Sequence, residues 1–441
     1  MTKRCGLNRN VDSAIAKPLA AWDAILRSHF PVHVKLLFLL PRAPYPSDTG
    51  GKIRTAKLLE ELSKRHQITC VMFATDDVSR TDLARMQACC ARLVTVPWRE
   101  TRKYTARFYG ELMANFLSPL PYTVSKYYDR GMVDALVRES AAGHDLLVCD
   151  FLQPSVNLPA VPLRPQIIFE HNVESVIRER QYRLERNLLK KAYLLLDYWK
   201  LRRFEHAAAR RADHCIMVSD TDCDVMREEL GVTNTSSIPT GVDVDYFRPV
   251  SGDDAGADER RVVFTGSMDW FPNEDAIRYF LNDIYPRLLI DGPLAVSVVG
   301  RNPSTALRRL AAQYPAVEIT GAVEDVRPFI GRAAVYVVPL RIGGGTRIKI
   351  LEAMAMGKPV VSTAVGAEGL PLTNGTDIVI ADEPEAFARH VRRLLNDVQA
   401  RQRLGAAARE VVTSRLTWAN AAQEFSEICE RVVAEARTEL T

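Results

Sequence analysis

The sequence has little of what would tie it to a membrane span, a metal or a disulfide framework. No apolar run reaches the roughly 18 residues of a spanning helix, and Lys17, Asp23 and Arg27 interrupt the stretch where a signal peptide would need an unbroken apolar core. The eight cysteines show no ligand spacing: Cys89 and Cys90 are adjacent, and Cys215 and Cys223 are eight apart without a histidine rhythm. A reduced, cytoplasmic protein without structural zinc is expected, at most peripheral to the inner face of a membrane. A net charge of +4 over 441 residues is small, and no nucleic-acid partner is expected.

What is present suits a two-domain α/β protein. The length exceeds one ordinary domain, and 47% apolar with 25% charged residues lets each half bury a core. The charge is unevenly placed. From Arg178 to Arg211 there are eleven cations and four anions, a local +7, and from Trp98 to Arg130 basic residues alternate with aromatics such as Tyr104, Phe108, Phe116 and Tyr122. Such segments suit an anionic membrane surface or a phosphorylated acceptor, or are simply solvated helix faces.

The most informative segment runs from Pro339 to Val361. An apolar run (Val335 to Leu340) leads into Gly343, Gly344 and Gly345, after which Thr346 can cap a helix running to about Met356. Strand, glycine loop and helix N-terminus form an anion cradle, because free N–H groups and the positive dipole end converge there. Gly357 and Pro359 then end the helix. Glu352 falls on the arc shared by Ile348, Leu351 and Ala355, so the helix carries a carboxylate on a largely buried surface. Either Lys349 pairs with it at i,i+3 or Glu352 meets a ligand.

Elsewhere, strands are expected at Val34 to Leu40, Ile68 to Ala74, Leu93 to Val96, Leu146 to Cys149, Gln166 to Glu170 and Cys215 to Val218. Gly50 and Gly51 precede a helix from Lys52 to Lys64. A Pro-, Gly- and acid-rich linker from Ile238 to Arg261 separates a second set at Arg261 to Thr265, Leu294 to Val299, Val317 to Ile319, Val335 to Leu340, Pro359 to Thr363 and Asp377 to Ile380. Strands alternating with helices imply two doubly wound parallel sheets, with a ligand at the carboxyl ends of the strands. Residues 1–32 form a polar extension, with one amphipathic helix expected from Val11 to Ser28.

Several short motifs, in this order and spacing, carry a family resemblance: Gly50-Gly51, Glu170-His-Asn-Val-Glu174, Ile238-Pro-Thr-Gly-Val-Asp243, Phe264-Thr-Gly-Ser-Met-Asp-Trp270, Val299-Gly-Arg301 and Leu351 to Val361. The chain resembles the retaining nucleotide-sugar glycosyltransferases of family 4, glycosyl transferases group 1, which share the GT-B fold. The likeness spans nearly all of the chain after residue 32. It implies an acceptor domain over residues 33–245, a donor domain over 246–415 and a C-terminal helix over 416–441 crossing back to the first domain. It assigns Glu352 to the ribose hydroxyls, His171 to the donor sugar, and Gly50 and Gly51 to close approach of the phosphate or sugar; base recognition is expected through the backbone near Gly321 to Glu324, around Val323. Gly344, Gly345 and Thr346 are expected to line the diphosphate.

Two departures stand out. The family usually places a glutamate eight positions before Glu352, where this chain has Gly344, and the usual arginine and lysine after the first donor-domain strand give way to Gly266-Ser-Met-Asp-Trp270 and Phe271-Pro-Asn273. A diphosphate leaving group needs cations or a metal, and Arg347, Lys349 and Arg301 are the candidates to supply the charge near Gly266 and Ser267. The alternative for Arg347 and Arg301 is a solvated surface position. The two Asp-x-Asp matches, Asp220 with Asp222 and Asp243 with Asp245, are read as a helix cap and an Asx turn, not as metal ligands. The expected activity is transfer of a sugar from a nucleoside-diphosphate sugar, as co-substrate without other cofactor, to a lipid-linked or polymeric glycan acceptor. A non-catalytic nucleotide-sugar-binding scaffold, or an epimerase or phosphorylase on the same fold, remains the alternative.

Overall fold

A computed structural model describes residues 34–47, 49–75, 78–102, 104–160, 163, 165–249, 260–343 and 347–439. The 1–32 extension with its expected helix, and the middle of the linker, lie outside the described residues.

The first sheet contains β1 (Lys35–Leu40), β2 (Gln67–Ala74), β3 (Arg92–Pro97), β4 (Leu146–Asp150), β5 (Gln166–Phe169), β6 (His214–Met217) and β7 (Thr235–Ser237), in spatial order β3-β2-β1-β4-β5-β6-β7. The second contains β8 (Arg261–Thr265), β9 (Ala295–Val299), β10 (Val317–Gly321), β11 (Val335–Val338), β12 (Val360–Ser362) and β13 (Val379–Ile380), in the order β10-β9-β8-β11-β12-β13. The strand pairings are parallel throughout. A parallel sheet must be covered on both faces, and β1 shows it: Leu36, Phe38 and Leu40 join one core layer while Leu37 and Leu39 join the other. The polar edge strand β7, Thr-Ser-Ser, carries no apolar alternation and escaped the sequence reading.

The helices that position the site are α1 (Gly50–Leu62), α2 (Ala106–Asn115), α3 (Glu174–Leu184), α4 (Leu188–Arg211), α5 (Asp220–Glu228), α6 (Phe271–Tyr279), α7 (Ile348–Ala355), α8 (Ala364–Ala367) and α9 (Trp418–Glu439). The C-terminal helix α9 lies against the first sheet: Trp418, Ala421, Phe425 and Cys429 sit in its core, and the Phe425 ring stacks 6.3 Å from Phe38. His66 Nε2 lies 2.6 Å from Ser426 Oγ on the same helix.

Strand order reverses between β1 and β4 in one sheet and between β8 and β11 in the other. Loops leaving adjacent strands in opposite directions open a crevice at such a point. The loops that follow these four strands lead into Gly50 and Gly51 at the start of α1 or carry Phe151, Gly266 and the glycine segment before α7.

Candidate active site

On the second-domain side, α7 is apolar on nearly every face, and Lys349 and Glu352 are its only residues that are not fully buried. The helix starts one residue later than expected. Arg347 occupies its N-cap position without a side-chain cap, so the first-turn N–H groups remain oriented toward the loop. Gly344, Gly345 and Thr346 lie outside the described residues, and with them the expected Thr346 cap. At the other end Gly357, φ +70°, donates to Met354 O (2.8 Å) and Lys358 N–H to Ala353 O (3.0 Å), the paired closure of a Schellman motif.

Lys349 does not close the i,i+3 pair with Glu352. Its ammonium donates to Asn273 Oδ1 at 2.7 Å and lies 4.1 Å from the centre of the Phe264 ring. Asn273, at the start of α6, in turn donates through Nδ2 to Ser267 O at 2.8 Å. Gly266 is required here. Its φ is +154°, and a Cβ would come within 2.5 Å of Lys349 Nζ and 2.8 Å of Asn273 Nδ2. Arg301, just after β9, donates from Nε to Ser267 Oγ at 2.8 Å. The sequence-predicted Gly266, Ser267, Arg301 and Lys349 are thus brought together, with Asn273 as the bridge that the sequence reading missed.

These charges sit in an environment that disfavours them. Burial pushes the Lys349 ammonium down to about 7, Arg347 adds to the shift, and Glu352 opposes it. Burial raises the Glu352 carboxyl to about 7, with Lys349 opposing. Arg347 is buried, which overturns a solvated surface position for it; burial lowers its guanidinium to about 10 against the opposing field of Glu368. Its Nη2 donates to Val365 O at 3.3 Å. Arg301 keeps a side chain about one-third exposed. Val323 lies half-buried in the loop after β10, packed against the second core.

On the first-domain side, α1 begins at Gly50, two residues earlier than expected, so both glycines belong to its first turn. Neither supplies a left-handed turn; Gly51 supplies room. A Cβ on Gly51 would meet Phe151 Cζ at 2.7 Å and His171 Nδ1 at 3.8 Å, and one on Gly50 would touch Ile348 Cδ1 at 3.7 Å. That last contact places the start of α1 against the start of α7. His171 follows β5 as expected but is only 3% exposed, stacked 3.7 Å from the Phe151 ring. Its Nε2 lies 2.6 Å from Asp150 Oδ1 at the end of β4. Burial lowers its pKa, against the opposing field of Asp150.

A further link crosses between the halves. Arg180 on α3 makes a bidentate pair with Glu368, both contacts 2.6 Å, and also donates to Gly343 O. The segment 178–211, read from composition as a basic face, therefore spends one of its cations on the glycine loop. Of the Asp-x-Asp pairs, Asp222 N–H is capped by Ser219 Oγ at 3.1 Å and Asp243 Oδ1 accepts from Tyr246 N–H at 3.0 Å, a helix cap and an Asx turn. Among the described residues no group of three metal-ligating side chains comes together.

Chemically, the arrangement offers an uncapped helix N-terminus with cations near it and a titratable carboxylate one turn on, its first residue Ile348 set against Gly50 of α1. The two parallel α/β halves, each with loops at its switch point, have the architecture of the GT-B fold. The solved structures agree on the fold: sucrose-phosphate synthase from Thermosynechococcus elongatus superposes with a TM-score of 0.71 at 18% identity, over 91% of this chain and all of that one. An Anabaena protein, HepE, in complex with UDP and glucose superposes at 0.65 with 14% identity, over 90% of this chain and all of its own. Residues 259–397 match the family described as glycosyl transferases group 1. Among curated relatives, a protein of Klebsiella pneumoniae described as an uncharacterized 44.6 kDa protein in the cps region is 20% identical over 81% of this chain and 90% of its own length. The GDP-mannose-dependent monoacylated alpha-(1-6)-phosphatidylinositol monomannoside mannosyltransferase of Corynebacterium glutamicum is 28% identical over 41% of this chain, which spans about half, 52%, of that enzyme.

Proposed function

We propose that the protein transfers a glycosyl unit from a nucleoside-diphosphate sugar to an acceptor hydroxyl with retention at the anomeric carbon. The convergence of Lys349, Asn273 and Arg301 on the Gly266–Ser267 turn, beside the uncapped start of α7, carries this reading. A diphosphate leaving group develops about two negative charges, and fixed cations with helix N–H groups stabilise that charge as it forms. Arg347, Lys349 and Arg301 hold the diphosphate with the backbone of Gly344, Gly345 and Thr346. Glu352 as carboxylate accepts from the ribose hydroxyls, the backbone near Val323 meets the base, and His171 with Gly50 and Gly51 receives the sugar. The leaving phosphate oxygen takes the acceptor proton on the same face, so the chain supplies positioning and electrostatics without a nucleophile of its own or a metal.

The acceptor is proposed to be a lipid-linked or polymeric glycan, met at an anionic membrane surface. Support comes from α2 and α4, which pack together through Phe116 and Tyr193 and leave Met113, Leu117, Leu188, Leu189 and Trp199 exposed beside Lys190 and Lys191. The matched Corynebacterium enzyme is named for a phosphatidylinositol mannoside, and the Klebsiella relative for a cps region. Among the described residues no helix is long and apolar enough to cross a membrane.

The test is release of UDP, GDP or ADP from a panel of nucleotide sugars with lipid-linked and polymeric acceptors, with NMR of the product's anomeric configuration. Net inversion refutes the retaining course. Binding of a nucleotide sugar without transfer across the panel favours the scaffold alternative, which rests on Gly344 standing where the family usually has a glutamate.

A further inference from the structure

His171 has two nitrogens in different surroundings. Nε2 lies 2.6 Å from Asp150 Oδ1, whereas Nδ1 is buried without a hydrogen-bond partner. Asp150 is 1% exposed, and its other oxygen accepts from Thr55 Oγ1 at 2.6 Å. Behind it the buried Arg54 guanidinium, which feels the field of Asp150, donates to Thr240 Oγ1 at 2.6 Å. Asp150 thus meets a donor at Oδ2, and the same acceptor role at Oδ1 puts the imidazole proton on Nε2. The ring has little freedom to turn over: Phe151 stacks on it at 3.7 Å and 13°, and Phe169 lies 4.5 Å away. Phe151 takes up this position with a φ of +71°, in the left-handed region. Nδ1 is turned toward Gly51, where a Cβ would stand 3.8 Å from it.

We propose that Asp150 is a positioning residue that locks His171 as its Nε2–H tautomer, leaving Nδ1 as an acceptor-only contact that selects donor sugars presenting a hydroxyl there over sugars presenting a carboxylate. This rests on the donor-sugar reading of the Gly51–His171 corner. A hydroxyl donates to the Nδ1 lone pair and satisfies a buried acceptor that otherwise has no partner. A carboxylate turns a second acceptor toward it and cannot. Nothing near Nδ1 accepts a proton, and the Arg54 guanidinium nearby opposes an imidazolium. The selectivity therefore resides in which nitrogen carries the proton, a choice made by Asp150 on the neighbouring strand.

The test uses the whole chain and two readouts. Long-range proton–nitrogen NMR on histidine-labelled protein at pH 7 reports the tautomer of His171, assigned by comparison with His171→Gln. The wild type is expected to show Nε2–H with an unprotonated Nδ1; an Nδ1–H form or an imidazolium overturns the proposal. Dissociation constants are then measured for paired hexose and hexuronate nucleotides, UDP-glucose with UDP-glucuronate and GDP-mannose with GDP-mannuronate. In Asp150→Asn, Thr55 donates to the amide oxygen and the amide N–H faces Nε2, which drives the proton to Nδ1. The expected result is a tautomer shift together with a fall of about tenfold or more in the hexose-over-hexuronate preference. Thr55→Val, which frees one carboxylate oxygen and leaves the charge, serves as the second variant and is expected to retain the tautomer and the preference. A wild type that favours the hexuronate, or an Asp150→Asn protein with shifted tautomer and unchanged preference, overturns the proposal. A protein that binds none of the four nucleotides refutes the donor reading and the selectivity with it, while the spectrum still decides the tautomer.

Discussion

Lys349 makes the sharpest quantitative prediction. In the ligand-free protein its ammonium titrates at about 7, chiefly because burial disfavours the charge. A bound diphosphate adds negative charge beside it and raises that value, so binding above pH 7 must recruit a proton. At pH 8 about nine-tenths of the free protein holds Lys349 neutral, and complex formation takes up close to one proton. Donor affinity then falls about tenfold per pH unit above 7, or about 1.4 kcal/mol per unit, until the bound-state value is reached. The assay is calorimetry with a nucleotide sugar, whose diphosphate diester does not itself titrate in this range, in two buffers of different ionisation heat at pH 8. Glu352 titrates at about 7 as well, so the wild-type profile belongs to the pair. Glu352→Gln separates them: the carboxylate field supports the ammonium, and its removal is expected to move the proton-uptake midpoint below that of the wild type. Absence of proton uptake at pH 8, or an uptake that persists unchanged in Lys349→Met, refutes the assignment of this cation to the diphosphate.

Other outcomes follow from single contacts. Gly51→Ala is expected to fold, yet to lose about tenfold or more in kcat/KM, because its methyl group meets Phe151 at 2.7 Å and displaces the ring stacked on His171; kinetics with the working donor check it. Arg180→Gln removes the bidentate pair with Glu368 and is expected to loosen the two halves, read as a larger radius of gyration by X-ray scattering and a raised donor KM. Phe425→Ala deletes a fully buried ring between Phe38 and Phe169 and is expected to cost about 3–5 kcal/mol, measured by denaturant unfolding of the first domain.

What could be read from the sequence was local. Continuous apolar runs gave the buried strands of both sheets to within a residue or two, because a strand buried on both faces announces itself by composition. The short polar β7 did not, since it pairs only at an edge. Glu352 and Lys349 were visible as charges on an apolar helix, but helix spacing alone suggested that they pair with each other. The tertiary partner won instead: Asn273 stands 76 residues from Lys349. His171 was legible as a strand-terminal histidine, whereas its anchor Asp150 belongs to another strand and is joined only by the parallel pairing of β4 with β5. The Arg180–Glu368 pair spans 188 residues and crosses between the halves, so no window of sequence contains it.

The central claim is that the loop and helix around residues 343–352 form the diphosphate and ribose site of a sugar donor. The direct measurement is donor binding and nucleotide release by Glu352→Ala, with circular dichroism and the thermal midpoint showing that the fold is kept. The account predicts that nucleotide-sugar affinity falls by about tenfold or more and that transfer falls with it, since a hydrogen bond to a charged group contributes about 1.5–3 kcal/mol and about 1.4 kcal/mol is tenfold. A folded Glu352→Ala protein that binds and transfers as the wild type does would contradict it.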